Sequence, residues 1–143
     1  MNFIGAIALV FAALFSGAAF YINFAEQPAR LILEPTQILK QWAPSYKSGF
    51  IMQSTLAMLS GVAAIYTFTQ TQDWRWALGA VLILANWPYT LLVIMPTNLK
   101  LLATKDADIN STTVDLIRHW GKLHAVRTVL GLSATVVFLL ALI

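Results

Sequence analysis

The sequence contains no cysteine and very little charge. Without thiols there are no disulfides, thiolate metal sites, iron–sulfur clusters or Cys-based relays, and four-helix membrane enzymes that oxidise thiols through a CxxC are excluded. Only 10% of the 143 residues are Asp, Glu, Lys or Arg; a soluble domain carries about a quarter. With 59% hydrophobic residues and a mean hydropathy of +0.72, the composition points to lipid as the solvent. The formal charge of +3 is spread thinly, with no basic run that could track nucleic acid. Also missing are a glycine-rich phosphate loop, a Ser-His-Asp arrangement and a haem-type pair of histidines. The start lacks the Lys/Arg-rich opening of a signal peptide, and its apolar run exceeds a typical h-region, so residues 1–24 are expected to be a retained first span.

What is present is four long apolar stretches, at about 2–24, 48–69, 74–95 and 116–143. Each matches the roughly 20 helical residues needed to cross a bilayer core. The expectation is all-α: one integral membrane domain over 1–143, built as a four-transmembrane-helix bundle. No internal repeat stands out. Small residues at helical spacing, Ala13 with Gly17 and Ala57 with Gly61 and Ala64, would let helices approach closely. Between the first two stretches, Leu31, Ile32, Ile38, Leu39 and Trp42 alternate with polar residues and are punctuated by Pro28, Pro35 and Pro44. This pattern predicts one or two short interfacial helices. The third connection, from about Thr97 to Asp115, is polar, is expected to hold another short interfacial helix, and ends in a capping-type start at Ser111-Thr112-Thr113.

Eight of the nine Lys and Arg residues belong to connections 1 and 3 and their flanks; only Arg75 lies on the other side. That bias predicts connections 1 and 3 in the cytoplasm and both termini outside, in the plasma membrane. Trp42 and Tyr46 on one side, and Trp74 and Trp76 on the other, are expected in aromatic belts.

The alternation of spans puts the unusual polar residues at one membrane face: Asn23, Glu26 and Arg30 after span 1, Thr90 and Asn98 at the end of span 3, and Trp120, His124 and Arg127 opening span 4. Ionisable groups at membrane depth are costly and usually face a cavity or a partner. At about 100° per residue, Trp120, His124, Arg127 and Gly131 share one stripe of span 4, with the glycine expected to leave space. Asp115, Arg118, His119 and Lys122 fall on the opposite, solvated side. The competing readings are snorkelling of Arg127 or a salt bridge to Glu26, and a simple interhelix contact for His124. A metal held through His124 and Glu26 is the weaker alternative to having no cofactor, because the two histidines lie on nearly opposite faces. Within span 3, Pro88 frees a carbonyl one turn earlier and is expected to bend the helix between Trp87 and Tyr89.

These residues resemble the anthrone oxygenase-like family of small four-helix membrane proteins, much of it a domain of unknown function. The resemblance rests on Glu26-Gln-Pro-Ala-Arg30, then Pro88-Tyr89-Thr90 with Pro96-Thr97-Asn98 and Leu102, then Trp120-Gly-Lys-Leu-His124-Ala-Val-Arg127-Thr128. Many relatives carry Asn where this chain has His124. The resemblance implies oxidation of an anthrone- or quinol-like lipophilic aromatic by O2, without metal or flavin. It implies His124 or Glu26 as the base, Arg127 and Asn98 as stabilisers of an enolate-like anion, and Trp120, Trp87 and Tyr89 as flat walls. Thr90, Arg30 and Asn23 complete the expected substrate site. The partners expected are the lipid bilayer, the lipophilic substrate, O2 and a second copy of the chain. The alternatives are a small-molecule binding or transport protein and a structural subunit of a membrane complex. Compact exporters rely on a carboxylate deep inside a span, whereas Glu26 lies at a span's end.

Overall fold

The computed structural model describes residues 2–143; Met1, where the expected first span begins, lies outside them. Four helices are long and apolar enough to cross a membrane: α1 (Phe3–Arg30), α2 (Pro35–Thr71), α3 (Trp74–Ala103) and α4 (Ser111–Leu142). No strand occurs among the described residues. Each helix packs against its two neighbours in the order 1-2-3-4, giving an up-down-up-down bundle. Local chemistry sets the starts. Asn2 accepts from the Gly5 amide at 3.0 Å and Asp73 from the Arg75 amide at 3.0 Å. Pro35 opens α2 at the position where a missing N–H is harmless. Gln72 takes a left-handed conformation (φ 56°) that ends α2, so two residues suffice to reverse the chain into α3.

The helices outrun the expected spans, and this changes the reading of the connections. Residues 35–47 are not a separate interfacial helix; they are the opening turns of α2, which continues through Pro44. Their apolar face is amphipathic because it packs on the bundle: Ile38, Leu39 and Trp42 join Ile94, Leu101, Ile117 and Trp120 in one cluster. The third connection holds a single 3-10 turn, Asp106–Asp108. The cap of α4 is Asn110, one residue before the expected start, in a capping box with Thr113. Trp42 and Trp76 are core residues, 0% and 2% exposed, and not belt anchors; Trp74 is exposed as expected.

The opposite end of the bundle is apolar and built from small residues holding large rings. A Cβ on Gly79 would come within 2.2 Å of Phe138, and one on Gly5 within 2.5 Å of Trp76. Those two rings stack at 5.5 Å. Lipid tails give helices no hydrophobic drive to associate, so this close packing is what holds them. Ala57, Gly61 and Ala64 lie on the packed face as expected. Ala13 and Gly17 do not: they face outward, and the packed stripe of α1 is Gly5, Ala8, Ala12 and Ala19. Gly131 does not leave space either, because the Phe15 ring fills it at 2.7 Å from where a Cβ would stand.

Toward the polar end, α1 and α3 carry the same device. Each widens into a π-helical turn, Ile22–Glu26 and Thr90–Ile94, and each turn is followed by a proline, Pro28 and Pro96. The prolines lack an N–H for the carbonyls of Phe24 and Leu92, both inside those turns, and their rings crowd them. α2 and α4 also echo each other, each stacking a second ring one turn after a tryptophan. Trp42 stacks on Tyr46 at 5.0 Å and Trp120 on His124 at 5.0 Å, and the two indoles meet edge to face at 5.9 Å.

Candidate functional site

The stripe read from α4 is buried as expected: Trp120, His124 and Arg127 face inward, while Asp115, Arg118, His119 and Lys122 are exposed. His124 is 2% exposed and its Nδ1 lies 2.8 Å from the Asn23 side-chain oxygen. Asn23 donates its amide to the Gly121 carbonyl at 2.8 Å, which identifies Oδ1 as the acceptor. The same oxygen accepts from the Thr128 hydroxyl at 2.8 Å. A neutral His124 therefore carries its proton on Nδ1 and presents a lone pair on Nε2, which takes no protein hydrogen bond among the described residues.

Arg127 is 7% exposed, has no ion pair among the described residues, and leaves Nε without a partner. Its guanidinium lies over the Phe15 ring at 5.5 Å. Neither competing reading of Arg127 holds, since it is buried and Glu26 pairs with Arg30 instead, at 2.6 Å, whereas the interhelix contact weighed for His124 is present in its bond to Asn23. Beside Arg127 lies a small, partly open chamber of about 20 Å³, room for little more than one water, walled by Phe15, Phe50, Ala57, Trp87 and Leu91. Gln53, Asn86 and Thr90 also line it, and each has a buried polar atom with no partner: Gln53 Nε2, Asn86 Oδ1 and Thr90 Oγ1. Unpaired buried polar atoms are rare, and four of them, these three and Arg127 Nε, line this one small cavity. A second, adjoining cavity shares Arg127, Gln53 and Phe50 with the first and reaches Trp120, His124, Tyr46 and Ser45.

The remaining expected site residues stand around these cavities. Glu26 accepts from Arg30, from Gln41 at 3.0 Å and from Ser45. Arg30 also donates to Gln41 and, at 2.8 Å, to Gln27, and it lies over the Trp120 ring at 5.5 Å. Gln27 in turn donates to the Ile117 carbonyl at 2.8 Å. Glu26 and Arg30 thus tie α1 to α2 and α4. Asn98 accepts from the Trp120 indole at 2.9 Å and leaves its own amide nitrogen unpartnered. Tyr89 spends its hydroxyl on the Leu123 carbonyl at 3.0 Å and lines neither cavity. Among the described residues no three His, Asp or Glu side chains gather as a metal-ligand set.

The profile of the anthrone oxygenase family matches residues 42–137, two-thirds of the chain. The chain belongs to that family. An anthrone oxygenase of Claviceps purpurea is 30% identical, covering 91% of this chain and 83% of the relative. An anthrone oxygenase of Pestalotiopsis fici is 29% identical, covering 74% of this chain and 85% of the relative. No solved structure matches. The segment matched by the anthrone oxygenase profile runs from Trp42 and holds Gln53, Asn86, Thr90, Asn98, Trp120, His124 and Arg127; Asn23, Glu26 and Arg30 precede it.

Gln53 and Asn86 were not expected at the site of this anthrone oxygenase family member. Their signal was available, since each is an amide inside a stretch otherwise long enough to span lipid. Asn23 takes a different place from that expected: it sits behind His124 and not on a cavity wall.

Proposed function

We propose that this chain is a membrane oxidoreductase that oxidises an anthrone- or quinol-like lipophilic aromatic with O2. The observation that supports it most is the buried, unpaired Arg127 at the junction of two cavities, one of which holds His124. A guanidinium without a carboxylate, buried among apolar walls, favours any group that gains negative charge there. His124 Nε2 takes a proton from the acidic methylene of the substrate, and Asn23 and Thr128 hold the ring for it. The electron pair released moves to the carbonyl oxygen, whose developing charge Arg127 and Gln53 stabilise. Phe15, Phe50 and Trp87 form flat walls. Asn98 acts at one remove, by fixing the indole of Trp120 under His124. Glu26 and Arg30 are assigned to holding the helices together.

The electron-rich carbon then joins O2, and the hydroperoxide formed loses water to leave a second carbonyl. One anthrone and one O2 give one anthraquinone and one H2O, so the balance needs no external reductant. In the same reading the four helices cross the plasma membrane with connections 1 and 3 in the cytoplasm. The test is oxygen uptake and anthrone consumption by the purified protein in detergent. One-to-one stoichiometry is expected, with turnover reduced at least about 100-fold in His124→Ala or Arg127→Ala. Wild-type turnover no faster than that of either variant removes the assignment.

A further inference from the structure

We infer that the chamber, too small for a ring system until its walls part, is loaded sideways from the hydrocarbon layer, through a gap between α2 and α3 bounded by Ser54 and Trp87, and takes its aromatic ligand in neutral form. The inference rests on the proposed function for the nature of the ligand and on separate geometry for the route. Ser54 and Trp87 line the inner chamber, and the same two residues line an outer groove with Thr55, Met58 and Leu59. Chamber and groove therefore meet at this pair. Trp87 is 37% exposed, and Leu91, one turn along the same wall, is 48% exposed, so the chamber reaches the surface on this side.

Along the bundle axis the chamber is closed toward the apolar end, while toward the polar end only the second cavity continues, partly open beside Ile22, Ser45, Tyr46 and Gly49. Phe15 and Ile83 fill the apolar end, both 0% exposed. Ser54 and Trp87 sit near the middle of their helices, at the height where a spanning bundle meets lipid tails and not headgroups. The groove carries no charged residue, and an ion leaving water for that depth pays a large desolvation penalty. A ligand arriving this way is neutral and ionises only beside Arg127. Trp87 stands between the break in α3 at Ala85 and Pro88, which offers no N–H to the Leu84 carbonyl.

The test uses anthrone as the probe, under argon, with the protein in lipid nanodiscs and exchange followed by stopped-flow fluorescence. Met58→Trp, on the outer groove alone, should crowd the mouth of the gap and slow association and dissociation about tenfold or more while the equilibrium affinity stays within about threefold. Trp87→Ala should speed both rates, and Val62→Trp, an added ring elsewhere on the lipid face, should change neither. Unchanged rates in both gap variants, or a loss of affinity without slower exchange, overturn the route. Displacement of bound anthrone by the permanently charged anthraquinone-2-sulfonate overturns entry in neutral form. If anthrone does not bind wild-type protein, both this inference and the proposed function fall. If it binds with the expected kinetics but admitting air brings no oxygen uptake, the proposed function falls and the route stands.

Discussion

The two halves of the bundle treat buried polar groups in opposite ways. In the apolar half, Ser16, Ser60 and Thr67 are buried and each hydroxyl finds a backbone carbonyl, at 2.7, 2.8 and 2.9 Å. Side chains there meet as rings in glycine notches. In the polar half and at the junction, Trp42, Gln53, Asn86, Thr90, Asn98 and Arg127 each leave a buried nitrogen or oxygen without a partner. One half is satisfied and close-packed; the other holds donors and acceptors that no protein group completes. Stability and activity should therefore respond to different residues, which is testable one variant at a time.

The largest separation is expected at Arg127. Arg127→Met removes a buried charge that no carboxylate offsets, so activity should fall by about 100- to 1,000-fold. The melting temperature in detergent should hold or rise, since apolar replacements of buried charge are often stabilising. A variant that loses activity only because it unfolds would break the comparison. His124→Phe should act in the same direction, with turnover lower by about 100-fold or more at unchanged substrate affinity. Gly79→Ala should do the reverse. Its Cβ would meet Phe138 at 2.2 Å, and destabilisation of about 1–3 kcal/mol, read by chemical unfolding, should leave turnover per folded molecule intact. Asn98→Leu strands the Trp120 indole N–H, at about 1–3 kcal/mol, and should lower turnover modestly by loosening the ring beneath His124.

The smallest effect belongs to Asp73, in the turn outside the spans. The Arg75 side chain, followed by the Arg75 amide, hydrogen-bonds its carboxylate and holds the pKa below the usual value. A lowered folded pKa contributes stability at neutral pH that is lost as the pH falls below about 4 through the folded value. Melting temperature should therefore drop slightly in that acid range for wild type and less so for Asp73→Asn, with activity at neutral pH unaffected.

The four helices and the buried stripe on α4 were legible in the sequence because length, composition and a 3.6-residue period survive any packing arrangement. The phase of α1 was harder: Ala13/Gly17 and Ala8/Ala12 offer equally good small-residue spacing, and only the neighbours decide between them. Residues 35–47 misled because prolines usually interrupt, whereas Pro35 starts α2 and Pro44 is carried within it. Gln53 and Asn86 were masked by the apolar residues around them. What singles them out is the lack of a partner, a property of the assembled bundle and not of the chain.

The paired π-turns have a consequence for how such a chain tolerates change in length. Each is a place where the helix stores one residue more than its hydrogen-bond ladder requires. Losing one residue from Ile22–Glu26 would let α1 close into regular α-helix. Everything beyond would keep its phase, leaving Gln27 and Arg30 on the faces they present to α2 and α4. The apolar half would register nothing. The turns thus work as length buffers, absorbing one residue without changing the angle at which the polar end meets its neighbours.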